Sequence, residues 1–156
     1  MMDSSCNIAE ETTAKEFEER AISRLSQTGL RVTRPRKLVV RILAETRKPL
    51  GAYQIRERVI ESGGKIDVVS VYRFLAWLVE AGLAHHIGVV DGYIKCTSHL
   101  VGTHQTEHLV CQLCGCVEEV AVPQPAQGEI SASASRMGFL PKSMRVEVLG
   151  TCSHCR

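Results

Sequence analysis

Residues 67–96 read DVVSVYRFLAWLVEAGLAHHIGVVDGYIKC, and this stretch decides the fold of the first half of the chain. Asp67 can cap a helix that Gly82 ends. The apolar positions between them recur at helical spacing: Val71, Phe74, Leu75 and Leu78. Two short apolar runs follow, at 83–90 and 93–96, and the dipeptide Asp91-Gly92 that joins them is typical of hairpin turns. The pattern predicts a helix followed by a β-hairpin.

Three further helical patterns precede this stretch. The first spans 13–28, the second starts after Thr33 with Pro35 in its first turn, and the third follows a turn at 48–51 and ends at 62–64. The last two helices and the hairpin make a winged helix-turn-helix, in which the second helix of the pair enters the DNA major groove.

Basic residues are concentrated in the same half. Nine Lys or Arg lie between residues 31 and 58, opposed by two Glu, whereas only five Lys or Arg follow residue 82. On charge alone such a run also fits a solvated helix face. Within a winged helix these side chains suit contacts to DNA phosphates, which position the protein without specifying a sequence.

Length and termini bound the class of protein. The chain has 156 residues, enough for one domain or two small ones, and no apolar run is long enough to cross a membrane. The acidic N-terminus lacks the apolar core of a signal peptide, so we expect a reducing cytoplasm. Closely spaced cysteines there indicate metal or redox chemistry. No nucleophile and base set stands out, so we expect neither an enzyme nor a small organic substrate.

Two C-x-x-C pairs have 37 residues between them, and their cysteines are Cys111, Cys114, Cys152 and Cys155. Two such pairs supply the four thiolates of a tetrahedral structural zinc site. The alternative of another class is a C-x-x-C redox protein, although a thioredoxin-like motif has a single pair. The zinc would join the chain end to the preceding strand in a domain too small to be stable alone. Cys116 is interpreted as a small buried residue, and Cys6 has no assigned role.

The second half is predicted to be a small α/β dimerisation domain. After a polar hinge at 97–107 come two strands (HLVC and VEEVAV), a helix at 125–137 and a strand at 144–149. Val117, Val120 and Val122 are more apolar than one short helix would cover, which favours a homodimer. The fold class is therefore α+β. A flexible tail spans 1–12, a winged helix-turn-helix DNA-binding domain 13–96, and the dimerisation domain 108–156.

The order of these features resembles the ferric uptake regulator family of metal-sensing repressors, over residues 14–155. The residues that carry the resemblance are LRVTRPR at 30–36, SVYR at 70–73, and the two C-x-x-C pairs. Gly51-Ala-Tyr53 and the ligand set below are similar to the zinc uptake regulator branch. The resemblance implies a zinc-responsive repressor of zinc uptake genes that binds a palindromic DNA operator as a homodimer.

That branch has a second zinc site as its sensor, and the resemblance implies its ligands here: His85, Cys96, His104 and Glu119. Two zinc ions per chain are therefore expected. A set of two nitrogens, one thiolate and one carboxylate favours zinc over iron. The alternative with the same fold is an iron or peroxide sensor. Glu107 and His108 resemble part of the iron branch's ligand run and are a weak candidate for a third metal site.

The implied sensor ligands come from both sides of the hinge. A metal that binds all of them would hold one domain against the other and select the closed arrangement. For DNA binding, Arg73 can form a bidentate pair with guanine. The other candidates for DNA contacts are Ser70, Tyr72, Tyr53 and Arg31. Trp77 is expected to pack within the domain.

Overall fold

The computed structural model describes residues 13–97, 106–121 and 123–156. Its first half contains four helices and a two-stranded antiparallel sheet: α1 (Ala14–Gln27), α2 (Arg34–Glu45), α3 (Ala52–Glu61), α4 (Val68–Glu80), β1 (Ala84–Ile87) and β2 (Gly92–Lys95). The helices and the hairpin follow the predicted order. The predicted tail, most of the predicted hinge with His104, and Val122 lie outside the described residues.

Local caps and an aliphatic core explain these helices. The Thr13 hydroxyl accepts a hydrogen bond from the Glu16 N–H at 3.2 Å, and the Glu16 carboxylate accepts one from the Thr13 N–H at 2.8 Å, which completes a capping box at α1. The Asp67 carboxylate accepts from the Ser70 N–H at 2.9 Å and starts α4. The largest buried side chains of the core include Phe17, Leu25, Leu43, Ile55, Leu75 and Leu78. Because one face of α4 is buried in this core, its opposite face is directed toward solvent.

The wing is the hairpin formed by β1 and β2, and its turn differs from the prediction. Ile87 pairs with Gly92, and a 3-10 turn (Gly88–Val90) followed by Asp91 in the left-handed region (φ 46°) joins the strands. Asp91-Gly92 is thus not a two-residue turn, and β1 ends three residues early. The physical reason lies outside the hairpin, because the N–H groups of Gly88 and Val89 donate to a distant carboxylate instead of to a strand ladder.

The wing is bonded to the helices behind it. Leu50 and Tyr93 exchange two backbone hydrogen bonds, each 2.9 Å long. The Lys95 ammonium donates to the carbonyl of Ala44 at 2.6 Å. A Cβ at Gly92 would lie 2.7 Å from Pro49 Cβ, so glycine permits this close approach. The wing and the helix pair therefore form one body.

The second half contains three strands and one helix: β3 (Thr106–Cys111), β4 (Val117–Ala121), α5 (Gln124–Arg136) and β5 (Glu147–Gly150). β3 lies in the centre of the sheet, antiparallel to β4 and parallel to β5. β5 starts three residues later than predicted because the Val146 N–H donates to the Glu107 carboxylate at 2.6 Å. None of the described helices has the length and apolar character needed to cross a membrane.

A small apolar cluster joins the two halves. Ile87 and Ile94 of the wing pack with Val110 and Val117 of the sheet, and all four side chains are buried. The prediction that Val117 helps to form a dimer surface is therefore wrong, because the wing already covers this side chain. This cluster fixes how the wing faces the sheet.

Candidate metal centres and DNA-binding surface

The four paired cysteines converge at one end of the central sheet. Their ligand atoms all lie within 4.8 Å of one another, and Cys114 Sγ is 3.7 Å from Cys152 Sγ. Zn–S bonds of about 2.3 Å give tetrahedral S···S separations of ~3.8 Å, whereas a disulfide requires about 2.05 Å. The observed spacing therefore suits four thiolates around one metal ion.

Hydrogen bonds already stabilise one thiolate of this group. The backbone N–H of Cys114, and then that of Cys152, lower the pKa of Cys111 to about 6. A hydrogen bond with Cys152 raises the pKa of Cys155 to about 12. A cation bound by all four cysteines would displace the proton of Cys155, because cysteine ligates as the thiolate.

A second cluster lies between the two halves. His85 on β1, His108 on β3 and Glu119 on β4 present ligand atoms within 4.8 Å of one another. His85 Nε2 is 3.3 Å from Glu119 Oε1, and the two imidazole centroids are 4.7 Å apart. Zn–N and Zn–O bonds of about 2.0–2.1 Å give tetrahedral edges of ~3.4 Å. One side chain from the wing and two from the sheet therefore fit a shared cation.

Cys96 lies beside this triplet. Its side chain is fully buried and hydrogen-bonds to His85. Its backbone is held on both sides, because its N–H donates to the carbonyl of Leu83 at 2.8 Å and its carbonyl accepts from Arg20 at 2.6 Å. The thiol is therefore placed next to the predicted partners His85 and Glu119, whereas His104 lies outside the described residues.

The electrostatics of the triplet favour a cation. Burial disfavours a charged His85, but hydrogen bonds with Cys96 and Glu119 outweigh burial and raise the pKa of His85 to about 9. Burial, and then the charge on His85, lower the pKa of His108 to about 4. Burial also disfavours the Glu119 carboxylate, yet its hydrogen bonds with His85 and Thr97 lower its pKa. The surroundings of His85 therefore stabilise a positive charge, and a metal ion at the same place would be stabilised in the same way.

His108 meets the requirement for a neutral nitrogen ligand. Its Nε2 is buried and has no hydrogen-bond partner among the described residues. An unsatisfied buried nitrogen is costly, and a metal would satisfy it. The sequence interpretation missed this placement, although strand pairing signals it. A hairpin centred on the first C-x-x-C places His108 directly opposite Glu119, so both side chains project from the same face.

Glu107 and His108 do not converge on a third site. Neighbouring residues of a strand point to opposite faces. The Glu107 carboxylate accepts from the Val146 N–H and lines a separate cavity of about 380 Å³. The lining residues described there include Gln127, Ser131 and Lys142, with no histidine and no second carboxylate. That set lacks the ligands that a transition metal requires.

The exposed face of α4 borders a basic groove. The groove has a volume of about 650 Å³, and its polar lining includes Arg31, Arg36, Lys65, Ser70 and Arg73. The Arg36 guanidinium donates to the Arg31 carbonyl at 2.7 Å and lies over the Phe74 ring. The groove therefore gathers cations from the segment before α2, from α2 and α4, and from the turn before α4. Of these, Lys65 was not singled out in the sequence.

The predicted DNA-contacting residues differ in their surroundings. Arg73 and the edge-to-face pair of Tyr53 and Tyr72, whose centroids are 6.5 Å apart, are exposed. The Ser70 hydroxyl instead donates to the Asp67 carboxylate at 2.6 Å, so it is engaged in the helix cap. Trp77 is half-buried and stacks on Phe74, as expected for a packing residue.

Comparison with known proteins identifies the family. The sequence profile of the ferric uptake regulator family matches residues 27–149. The zinc uptake regulation protein of Escherichia coli K12 is 27% identical over 146 residues, which cover 94% of this chain and 85% of that protein. The ferric uptake regulation protein of Legionella pneumophila is 32% identical over 133 residues, which cover 85% of this chain and 96% of that protein.

Solved structures agree with this result. A zinc uptake regulator complexed with zinc and DNA superposes with a TM-score of 0.81 at 26% identity, covering 93% of this chain and 96% of that chain. Holo XcZur is 29% identical and superposes with a TM-score of 0.74, covering 89% of this chain and 96% of that chain. Apo XcZur superposes with a TM-score of only 0.51, covering 92% of this chain and 97% of that chain. The two halves described here are therefore arranged more like the holo form of that relative than like its apo form. The chain belongs to the ferric uptake regulator family, in its zinc uptake regulator branch.

Proposed function

We propose that this protein is a zinc-responsive transcriptional repressor that binds operator DNA when its sensor site is filled and thereby controls zinc uptake genes. The observation that carries this proposal is the triplet of His85, His108 and Glu119, which spans the two halves. A cation that needs ligands from both halves binds the closed arrangement more tightly and so increases its population. Coupling of about 1–3 kcal/mol is typical of allosteric proteins.

Two zinc ions per chain are proposed. The four-cysteine group would hold a structural zinc, which has a closed set of protein ligands. The sensor would use His85, Cys96 and Glu119 with one further histidine. The soft thiolate of Cys96, which is buried beside His85, supports zinc over iron or manganese, which prefer nitrogen and oxygen ligands.

Two histidines compete for the fourth position of the sensor. The family resemblance favours His104, whereas the geometry supports His108. Zinc titrations of His104→Ala and His108→Ala decide between them. His86→Ala is the matched control, because this neighbouring wing histidine hydrogen-bonds to Asp91 at 2.9 Å instead. The variant that loses the second zinc identifies the ligand, and retention of both zinc ions in both variants contradicts the sensor assignment.

A homodimer is supported by the exposed apolar surface of the second half. No residue of α5 is buried, and β5 is an edge strand. The exposed apolar side chains on or after these elements are Ile130, Met137, Phe139, Leu140, Val148 and Leu149. Patches of this kind mark protein–protein contacts. A two-fold dimer would present two α4 helices to the half-sites of a palindromic operator.

A DNA-shift assay with and without zinc tests the function. We expect wild type to bind operator DNA only with zinc, and Cys96→Ser to lose this response while it stays folded. A full zinc response in Cys96→Ser contradicts the sensor. A response to iron or manganese but not to zinc would support the iron or peroxide sensor. A titratable disulfide without bound metal would support the redox protein.

A further inference from the structure

Glu147 begins β5 in the second half, yet its carboxylate reaches the wing. One oxygen accepts a hydrogen bond from the Gly88 N–H at 2.7 Å, and the other accepts one from the Val89 N–H at 2.9 Å. These amides open the 3-10 turn, and the first N–H groups of a helical turn have no partner within it. One carboxylate thus satisfies two backbone donors that lie 58 and 59 residues away in sequence.

The contact lies at the opposite end of the hairpin from the metal cluster. The wing pairs Ala84 with Lys95 at its open end and Ile87 with Gly92 at its turn. His85 lies near the open end, and Gly88 is three residues further along, which is about 10 Å of extended chain. The two attachments therefore hold the wing at separate points.

Two attachment points restrict the wing more than one does. A metal at the open end and the apolar cluster of Ile87 and Ile94 hold the strands of the hairpin, but neither binds the N–H groups of its turn. The Glu147 contact adds a directional, charged attachment at the turn, which non-directional apolar packing does not supply. Gly88 leaves room for the contact, since a Cβ there would already lie 3.4 Å from the nearer Glu147 oxygen.

We propose that Glu147 is a positioning residue for metal-controlled DNA binding, which holds the turn of the wing against the dimerisation domain while the metal holds the open end. This inference rests on the proposed function. The pairing of β5 with β3 places Glu147 beside His108, so both attachments are built on one sheet. Filling the sensor then fixes the orientation of the whole wing and of the helices bonded to it.

The test uses the full chain loaded with zinc and compares Glu147→Ala, Glu147→Gln and Glu129→Ala. Glu129 is the matched control because it is an exposed carboxylate of the same domain. Backbone amide exchange at Gly88 and Val89 reports the contact directly. Zinc titration and DNA-shift assays report its consequence.

In Glu147→Ala we expect both amides to exchange at least about tenfold faster, since charge-assisted hydrogen bonds are among the stronger ones. Zinc affinity of the sensor and DNA affinity of the zinc-loaded protein should each fall about fivefold, within the usual range of coupling energies. Glu147→Gln keeps one acceptor oxygen and should give intermediate values, and Glu129→Ala should match wild type. Graded exchange at these two amides is a result that general destabilisation would not produce.

Unchanged amide exchange in Glu147→Ala overturns the contact. Faster exchange with unchanged zinc and DNA affinities overturns the positioning role. If Glu147→Ala fails to fold, the same measurements on Glu147→Gln decide the matter. If wild type binds DNA equally with and without zinc, the proposed function fails, and amide exchange still tests the contact separately.

Discussion

The imidazole of His85, on the wing, lies 3.3 Å from the carboxylate of Glu119, on β4 of the second half. This pair joins the wing to the sheet of the second half. Hydrogen bonds from Thr97 to Glu119 at 2.9 Å and from Arg20 to the Cys96 carbonyl hold the surrounding backbone in place. The site is therefore organised by both halves before a metal arrives.

Zinc affinity of the sensor should fall as the pH falls. The pKa of His85 is about 9 in the metal-free protein, so below this pH zinc must displace its proton. This group alone should weaken binding by about tenfold per pH unit between 9 and 7, the limiting dependence for one displaced proton. Titration against a competing chelator at several pH values measures the slope. His86→Ala should keep this slope, and an affinity that does not change with pH contradicts the assignment.

Removal of one structural cysteine should unfold the second half selectively. In Cys152→Ser we expect the zinc content to fall from two ions per chain to one at most and dimerisation to be lost, because structural zinc contributes about 10–16 kcal/mol of binding energy in small peptides. Helices α1–α4 have their own core and should persist in circular dichroism. Cys116→Ser is the control and should keep both ions. A dimeric Cys152→Ser with full zinc content would rule out the structural role.

The apolar cluster between the halves should contribute measurably to stability. Ile87→Ala removes a fully buried side chain and should lower the free energy of unfolding by about 2–4 kcal/mol. Val89→Ala, two residues away and 48% exposed, should change it by less than about 0.5 kcal/mol. Urea denaturation of both variants measures the difference. Equal effects would mean that the wing does not pack on the sheet in solution.

Arg73→Ala should weaken specific DNA binding. Arg73 is exposed on α4 beside the basic groove, and a bidentate arginine–guanine pair gives about 1–3 kcal/mol of discrimination. The loss should concern operator DNA more than unrelated DNA, whereas Lys65→Ala should weaken both and reduce the salt dependence. Competition assays at two salt concentrations distinguish the two results. An equal loss on both DNAs would make Arg73 a phosphate contact.

The helical half was predictable because each of its signals is local. Asp67 caps α4 through a residue three positions further on, as predicted, and the apolar stripe of α4 repeats at helical spacing. The two C-x-x-C pairs were also sufficient to predict a shared site, because spacing within each pair restricts where the sulfurs point.

The failures of sequence prediction are contacts between distant segments. The turn of the wing deviates from the Asp91-Gly92 pattern because Glu147 binds its amides. Val117 is covered by the wing instead of by a partner, which depends on how the halves dock. His108 was interpreted with its neighbour Glu107, whereas its cross-strand partner Glu119 decides its surroundings. Strand register, and not proximity in sequence, carries that information.

Because of the backbone bridge between Leu50 and Tyr93, metal selectivity and DNA specificity would be able to change separately in evolution. The bridge joins the wing to the helix pair, so the proposed metal control would reach α4 through a rigid body and without a side-chain relay. Substitutions at the proposed metal ligands would therefore be able to alter which ion is sensed while the residues proposed to face DNA stay as they are. Substitutions on the proposed recognition helix α4 would equally be able to change the operator while metal selectivity is kept. A duplicated gene could acquire a new signal or a new target one step at a time.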